Sequence, residues 1–265
     1  MKKLLIGLAA TLPAWTAVNA QDSRDIRVRV GAGAQLRPEY VGADGTSVGP
    51  LFHVNIAKGT KQFAFGAPDD SPGIAVTSAN GLSFGLAGNY EGRRKESDVG
   101  APVGGIKQTI EAGAFAQYEW KDSFRVRAEL LKGINGHEGL LGTISADKIW
   151  REGDRYVISV GPRVLFSDGR YQRTYFGVSP AVAAATGLPG YRPGRGIYAV
   201  AAAAGMTYAL NHRWGVFGFG RYERLVGDAA KSPIVRQFGS RNQLSAGAGV
   251  NYTFVIHRAP KVQAQ

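Results

Sequence analysis

A strict two-residue alternation near the C-terminal end constrains the fold more than any other feature of the sequence. From residue 243 to residue 254, every even position is apolar and every odd position is polar or Gly. Because successive side chains of a strand point to opposite faces, this stretch predicts a β-strand with one apolar and one polar face. Its length of about ten residues suits a tilted strand that crosses a bilayer. Tyr252 and Phe254 would place rings at the membrane boundary, so the pattern predicts an outer-membrane β-barrel.

The N-terminal residues predict export. Lys2 and Lys3 precede an apolar stretch interrupted by Pro13, and small residues stand just before Gln21. We therefore expect residues 1–20 to be a cleaved secretory signal peptide. A membrane-anchor helix is the weaker alternative, because the apolar stretch is shorter than the roughly 20 residues that a span needs and contains a proline.

Composition narrows the classes of fold and function that the sequence allows. Beyond the signal, no stretch reaches about 18 uninterrupted apolar residues, so the sequence predicts no helical spans. With no cysteine, there is no disulfide and no thiolate metal site. The net charge of +12 does not indicate nucleic acid as a partner, since an exported barrel rarely meets it. Thirty-seven glycines suit closely packed strands, but a soluble β-sandwich would show similar composition and remains an alternative.

Alternation recurs along the chain and predicts about 12 antiparallel strands. The segments are residues 26–36, 51–57, 62–66, 73–78, 82–91, 110–120, 124–130, 140–150, 156–166, 198–208, 214–225 and 243–254. Twelve strands put the short connections at one end and the long ones at the other, as single-chain outer-membrane barrels require. Ten strands is the alternative, if two short segments are loop excursions. The predicted barrel covers residues 21–254, and residues 255–265 form a predicted periplasmic tail.

Charged residues concentrate on the face opposite the lipid. In the predicted register the inward set is Arg27, Arg29, Glu111, Glu119, Arg125, Arg127, Glu129, Asp147, Arg155, Arg163, Arg221 and Glu223. An Arg facing lipid at mid-bilayer costs roughly 2–4 kcal/mol, so the lumen is where such residues belong. The favoured interpretation is a ladder of Arg–carboxylate pairs that fills a narrow barrel. The alternative is a pore that favours anions.

The sequence contains little that resembles a catalytic motif. The four histidines lie in four separate segments, without the spacing of a metal site, and Gly-x-Ser-x-Gly is absent. The sequence therefore predicts neither an enzyme nor a cofactor.

The loops carry motifs that go beyond a generic barrel. The motif residues are Pro38, Tyr40, Gly42, Gly92, Arg93, Tyr175, Phe176, Gly177, Val178, Gly187, Leu188, Tyr191, Arg224, Leu225, Gly227, Asp228, Ser232 and Pro233. Together with the ending Tyr252-Thr253-Phe254, they resemble the MipA/OmpV family of outer-membrane proteins, the MltA-interacting proteins. The resemblance extends over nearly the whole mature chain, although the chain continues past Phe254, where such barrels normally end.

The resemblance implies a non-enzymatic scaffold in the outer membrane of a Gram-negative bacterium. The namesake links a membrane-bound lytic transglycosylase, which cleaves murein, to a bifunctional penicillin-binding protein, which synthesises it. The motif residues would then be loop and rim structure, or alternatively a contact surface. A channel for small solutes, anions among them, is the second functional hypothesis. Basic residues at the outer rim would meet lipopolysaccharide phosphates or would simply be solvated, and the oligomeric state is left open.

Overall fold

The computed structural model describes residues 25–257, which form eleven strands and five short helices. The strands are β1 Ile26–Pro38, β2 Thr46–Lys58, β3 Gly73–Ala79, β4 Leu82–Glu91, β5 Thr109–Trp120, β6 Phe124–Ile134, β7 Leu140–Glu152, β8 Tyr156–Ser167, β9 Gly196–Ala209, β10 Trp214–Leu225 and β11 Asn242–Ile256. The helices are α1 Glu96–Val99, α2 Gly169–Phe176, α3 Pro180–Thr186, α4 Gly227–Lys231 and α5 Pro233–Phe238. No helix between residues 25 and 257 is long and apolar enough to cross a bilayer.

All eleven strands belong to one antiparallel sheet with the order β2-β1-β11-β10-β9-β8-β7-β6-β5-β4-β3. The first strand pairs with the last along eleven residue pairs, from Ile26–Ile256 to Leu36–Ala246. The first and last strands are therefore neighbours inside the sheet, and β2 and β3 are its edges. The ladder is open only between β2 and β3, which do not pair within the described residues. The predicted antiparallel barrel is confirmed, with eleven strands in place of twelve.

Alternation explains why these segments form the barrel wall. On β11 the outward side chains of Leu244 and Val250 are 63% and 52% exposed, whereas the inward Gln243 and Asn251 are 6% and 3% exposed. A face of exposed apolar side chains is unfavourable in water but is the face that lipid covers. The outward face is therefore the lipid-facing surface, and the polar side chains face a lumen.

The prediction of a strand at residues 62–66 is wrong. Residues 59–72, hereafter the lumen segment, leave the wall after β2 and pair with neither neighbouring strand. Phe63, Phe65 and Ala67 alternate with exposed residues, as in a strand, but they are buried inside the barrel. The missing strand of the wall is therefore replaced by an extended chain that returns through the lumen before β3 begins.

The two ends of the barrel differ as the sequence predicts. Short turns join the strands at one end, and Asn80 and Gly81, with φ of 51° and 82°, form a tight hairpin there. The other end has four long loops, residues 39–45, 92–108, 168–195 and 226–241, which together contain all five helices, and a five-residue loop, residues 135–139, joins β6 to β7 there. We refer to these as the short-turn end and the long-loop end.

The last strand is longer than predicted. Val255 and Ile256 continue β11 past Phe254, because Arg27 and Ile26 of β1 are available to pair with them. The predicted signal peptide, residues 1–20, lies outside the described residues. So does the predicted tail from residue 258 onward.

Candidate functional site: a filled lumen beneath a loop cap

Contacts between distant strands show how tightly the sheet curls. The ring of His53 on β2 lies 5.5 Å from that of Phe217 on β10, although β1 and β11 stand between those strands. At the short-turn end, Arg27 of β1 donates to Asp154, in the turn between β7 and β8, over 2.8 Å. The inner face therefore encloses a narrow space, and the lumen segment occupies it.

The lumen segment is first held at the short-turn end. The Gly59 amide donates to the carbonyl of Asp25 over 2.7 Å. The Phe63 amide donates to the Asp154 carboxylate over 3.0 Å, and Arg151 donates to the Phe63 carbonyl over 3.0 Å. The Phe63 backbone therefore bonds to side chains of the opposite wall, in place of a strand ladder.

Two aromatic rings then pack against inward arginines. The Arg29 guanidinium carbon lies 4.1 Å from the centre of the Phe63 ring, and that of Arg125 lies 4.8 Å from the Phe65 ring. Phe65 also packs with the buried Ile149 of β7. Each such cation–π contact stabilises the fold by about 0.5–2 kcal/mol. It also gives the inward arginine a packing partner inside the barrel.

The middle of the segment reaches the far wall. A Cβ placed on Gly205 of β9 would lie 2.3 Å from Cγ of Pro68, so only glycine permits this close approach. The next residue, Asp69, accepts two hydrogen bonds from Arg163, at 3.0 and 2.9 Å, and lies 3.6 Å from Arg221. Asp69 thus links the segment to β8 and β10.

Asp70 completes a buried chain of alternating charges. It pairs with Arg125 of β6 through two hydrogen bonds, one of them 3.0 Å long. Arg125 in turn donates to Asp147 over 2.6 Å, and Asp147 accepts from Arg163 over 2.8 Å. The side chains of Arg125 and Asp147 are fully buried. Ser71 finally donates to Glu129 over 2.5 Å.

These pairs balance the charge of the wall. Arg125, Arg163 and Arg221 face the lumen and form ion pairs with two carboxylates of the wall, Asp147 and Glu223. The other partners of these arginines are Asp69 and Asp70, both from the lumen segment. Since an unpaired buried charge is costly, the segment is electrostatically part of the wall.

The structure brings together some of the predicted inward residues and separates others. Arg125, Arg163, Asp147 and Arg221 meet in the network above. Arg127 pairs with Glu129 over 2.5 Å.

The rest of the predicted set lies elsewhere. The buried Glu111 contacts His137 over 2.9 Å, near the long-loop end. Arg27 and Arg29 hold the start of the lumen segment, and Glu119 lies towards the short-turn end. Arg155 is in a turn, where it contacts Glu152 at 3.3 Å.

Asp69 and Asp70 are the site residues that sequence reasoning missed. They lie in a Pro-Asp-Asp-Ser-Pro stretch, residues 68–72, which separates the two short strands predicted at residues 62–66 and 73–78. A signal was nevertheless present: two adjacent carboxylates stand beside segments whose inward faces carry an excess of arginine. Opposite charges of that kind favour each other inside a barrel.

At the long-loop end, the loops fold into a cap over the lumen. The motif residues supply much of its apolar interior: Tyr40, Tyr175, Phe176, Val178, Leu188 and Leu225 are all at most 6% exposed. They pack with Ile106, Ile234 and Val235 from other loops. Segments that are distant in sequence therefore meet in two apolar clusters, one around Phe176 and Leu225 and the other around Tyr40 and Leu188.

Hydrogen bonds tie the cap loops to one another and to the wall. The Gly42 amide donates to the side chain of Gln243 on β11 over 3.1 Å, and the positive φ of Gly42, 94°, shapes this loop. Ser232 donates to the Phe176 carbonyl over 2.8 Å. The Tyr191 hydroxyl donates to the Asp228 carbonyl over 2.9 Å. Arg224, by contrast, is exposed on β10 and belongs to neither apolar cluster.

Two of the cap helices, α2 and α3, begin at residues whose side chains cap them. The Asp168 carboxylate accepts from the Tyr171 amide over 2.8 Å and starts α2. Ser179 caps α3, which continues with Pro180 and ends at Gly187 with a φ of 71°. Burial raises the pKa of the Tyr171 and Tyr175 hydroxyls, so both remain neutral in the cap.

A chamber remains between the cap and the lumen segment. Its volume is about 300 Å³. Six carboxylates and four arginines line it: Asp69, Asp70, Glu91, Glu111, Glu129, Glu223, Arg37, Arg127, Arg163 and Arg221. The lining is thus mixed in sign and somewhat acidic. Within the described residues, no group of three or more His, Asp or Glu side chains is placed to hold a metal ion.

Several solved outer-membrane structures resemble the chain. An outer membrane channel from Pseudomonas putida F1 is 8% identical, with a TM-score of 0.42 and coverage of 95% of this chain and 100% of that chain. The translocator domain of the autotransporter NalP from Neisseria meningitidis is 15% identical, with a TM-score of 0.39 and coverage of 87% and 88%. Neisserial surface protein A is 12% identical, with a TM-score of 0.27 and coverage of 86% and 97%. No curated protein matches the sequence.

The sequence also matches a protein family over most of the chain. Residues 30–254 match the family described as MltA-interacting protein MipA. The match begins in β1 and ends in β11, so it includes the wall, the lumen segment and the cap.

Proposed function

Since the chain belongs to the MltA-interacting protein MipA family, we propose that it is a non-enzymatic scaffold that links a murein hydrolase to a murein synthase. The protein is an outer-membrane β-barrel of a Gram-negative bacterium. The family description names MltA as a partner. The proposed partners are therefore a membrane-bound lytic transglycosylase of the MltA kind and a bifunctional penicillin-binding protein.

The filled lumen is the observation that carries this proposal. A channel needs a continuous aqueous path, whereas here Asp69 and Asp70 anchor a chain segment across the lumen through buried ion pairs. The cap covers the same space at the long-loop end. A barrel whose lumen is crossed by a chain segment and covered by loops is suited to presenting its surface to partners and poorly suited to passing solutes.

The observation that first suggested a channel for anions is also weakened. It rested on an excess of inward arginines, which would favour anions. The chamber lining has more carboxylates than arginines, because the lumen segment adds two of its own. A path selective for anions is therefore the weaker proposal, and conductance remains its direct test.

The short-turn end is the proposed docking side for the murein enzymes. Short turns of single-chain outer-membrane barrels face the periplasm, where murein lies. This end presents exposed polar residues such as Lys58, Lys121 and Arg213. The proposed periplasmic tail, which carries Arg258 and Lys261, would extend from the same side.

The outer face has a separate proposed partner. The long loops face outward in this orientation, and their basic residues would meet lipopolysaccharide phosphates. The motif residues are proposed to be the structural frame of that outer cap, because they supply its apolar interior.

Affinity recovery tests the scaffold. The full-length barrel, solubilised in mild detergent and immobilised, should recover a lytic transglycosylase and a bifunctional penicillin-binding protein from membrane extracts. Lys121→Glu, in a periplasmic turn, should weaken this recovery. Arg192→Glu, exposed in an outer loop, is the matched control and should leave it unchanged. Recovery of neither enzyme by well-folded wild-type protein would contradict the proposal.

A further inference from the structure

A basic groove opens at the long-loop end above β4, β5 and β6. Its volume is about 1010 Å³, and Arg93, Arg94, Lys95, Lys107 and Glu138 are its charged lining residues. Gln108, Asn135 and Thr174 add polar groups. The groove is therefore strongly cationic, in contrast to the mixed chamber inside the barrel.

Most of this positive charge lacks a partner. Arg93 and Lys107 are exposed, and neither forms an ion pair within the described residues. The one acidic lining residue, Glu138, is already paired with Arg170. Nearby acidic side chains are also engaged, since Glu96 accepts from the Gly104 amide over 3.1 Å and Asp98 from the Lys95 amide over 2.7 Å.

Arg94 is the least expected member of the groove. It is 3% exposed, and its guanidinium donates only to the carbonyls of Tyr175 and Gly104, over 3.0 and 3.2 Å. Its Nε has no hydrogen-bond partner, and no carboxylate lies within ion-pair distance in the described structure. Burial lowers the pKa of this guanidinium, so a nearby anion would stabilise its charge.

The groove adjoins the lipid-facing surface. Tyr90, Ile110 and Ile134 stand side by side on β4, β5 and β6, and they are 54%, 56% and 52% exposed. One row towards the short-turn end, Lys132 pairs with Ala112 across the sheet and also points outward. The Lys132 ammonium donates to the Glu138 carbonyl at the edge of the groove.

An outward lysine beneath a cationic groove indicates a lipid with a charged headgroup. A lysine that faces lipid is costly near mid-bilayer, but it is tolerated at the interface, where headgroup phosphates balance it. A soluble anion would explain the groove, yet it would not explain Lys132 on the apolar face. Adjacent apolar and cationic surfaces together fit a phosphorylated glycolipid.

We propose that this groove binds a phosphate of lipid A, the membrane anchor of lipopolysaccharide, in the outer leaflet. Arg93 and Lys107 contact the phosphate, the charge of Arg94 supports it from beneath, and the acyl chains lie against Ile110 and Ile134. This inference rests on the outward orientation of the long loops in the proposed function. It assigns the lipopolysaccharide contact to one side of the rim.

Lipid binding by the full-length protein tests the assignment. The dissociation constant for bisphosphorylated lipid A is measured in detergent by microscale thermophoresis, beside phosphatase-treated lipid A and inorganic phosphate. The double variant Arg93→Glu/Lys107→Glu should weaken binding at least about tenfold, since each cation near anionic headgroups contributes roughly a factor of five. The double variant Arg192→Glu/Arg195→Glu makes the same charge change elsewhere on the outer loops and should bind normally. Heat-modifiable mobility verifies that both variants fold.

Several results would overturn the proposal. Equal weakening by both double variants would show a general charge effect, and unchanged binding by Arg93→Glu/Lys107→Glu would exclude the groove. Tight binding of the dephosphorylated lipid would show that apolar contacts suffice. Binding of inorganic phosphate as tight as that of lipid A would indicate a site for soluble anions. Recovery of murein enzymes is measured in a separate experiment. A failure of the scaffold proposal is therefore distinguishable from a failure of the lipid A proposal.

Discussion

The ion pairs of the lumen segment predict a large loss of stability when its carboxylates are neutralised. Asp69→Asn keeps the size of the side chain and part of its hydrogen bonding, but it removes the charge that faces Arg163 and Arg221. Asp70→Asn does the same for Arg125. Each substitution leaves a buried guanidinium with less compensation than the native structure provides.

The magnitude follows from burial. The side chains of Asp69 and Arg163 are 5% and 2% exposed, and that of Arg125 is fully buried. Breaking a buried pair by removing one partner costs about 3–5 kcal/mol, and we expect about 3 kcal/mol for each Asn because its oxygen still accepts a hydrogen bond. Both arginines share Asp147, so the double variant should lose less than the sum of the singles.

The free energy of unfolding in urea, followed by tryptophan fluorescence in detergent micelles, measures these losses. Glu152→Gln is the matched control, because Glu152 is 58% exposed in its pair with Arg155. An exposed pair contributes at most about 1 kcal/mol. Losses below about 1 kcal/mol for both Asp69→Asn and Asp70→Asn would refute the role assigned to the lumen segment.

Three further predictions concern the wall and the cap. Gly205→Leu should destabilise the barrel by about 1–3 kcal/mol in the same urea assay, since its side chain would collide with Pro68; wild-type stability would contradict this close approach. Val250→Arg, at the middle of β11 on the lipid face, should cost roughly 2–4 kcal/mol in bilayer refolding, whereas Val250→Leu should be tolerated. Asp168→Ala removes the cap of α2 and should cost about 1 kcal/mol, with faster hydrogen exchange at the Tyr171 amide; unchanged exchange there would argue against the cap.

The wall was predictable because a lipid-facing strand must alternate. β5 and β11 were predicted to within two residues at each end. β2 begins at Thr46, five residues before its predicted start, because Pro50 obscured the pattern. Proline is tolerated there because β2 is an edge strand and one side of it carries no ladder.

The lumen segment was mispredicted for a physical reason. Phe63, Phe65 and Ala67 have the period of two that any extended chain shows when one side is buried. Periodicity reports burial on one side, but it does not tell whether lipid, a wall or a lumen lies there. The paired carboxylates Asp69 and Asp70 carried that information through their charge.

The structure of the cap could not be predicted from local sequence patterns. Its five helices span four to eight residues, too short to show a reliable helical period. Its contacts join residues far apart in sequence, such as Gly42 with Gln243 and Phe176 with Ser232. Family resemblance identified many of these residues, but it did not indicate that they pack together over the lumen.

Single-channel conductance in planar lipid bilayers tests the closed lumen most directly. The wild-type barrel, inserted and verified as folded, should show no channel openings. A variant in which residues 62–71 are replaced by a Gly/Ser linker of equal length lacks the anchors Asp69 and Asp70 and should show discrete openings. Steady openings of the wild-type protein, unchanged by the linker, would contradict the closed lumen and support a channel in place of a scaffold.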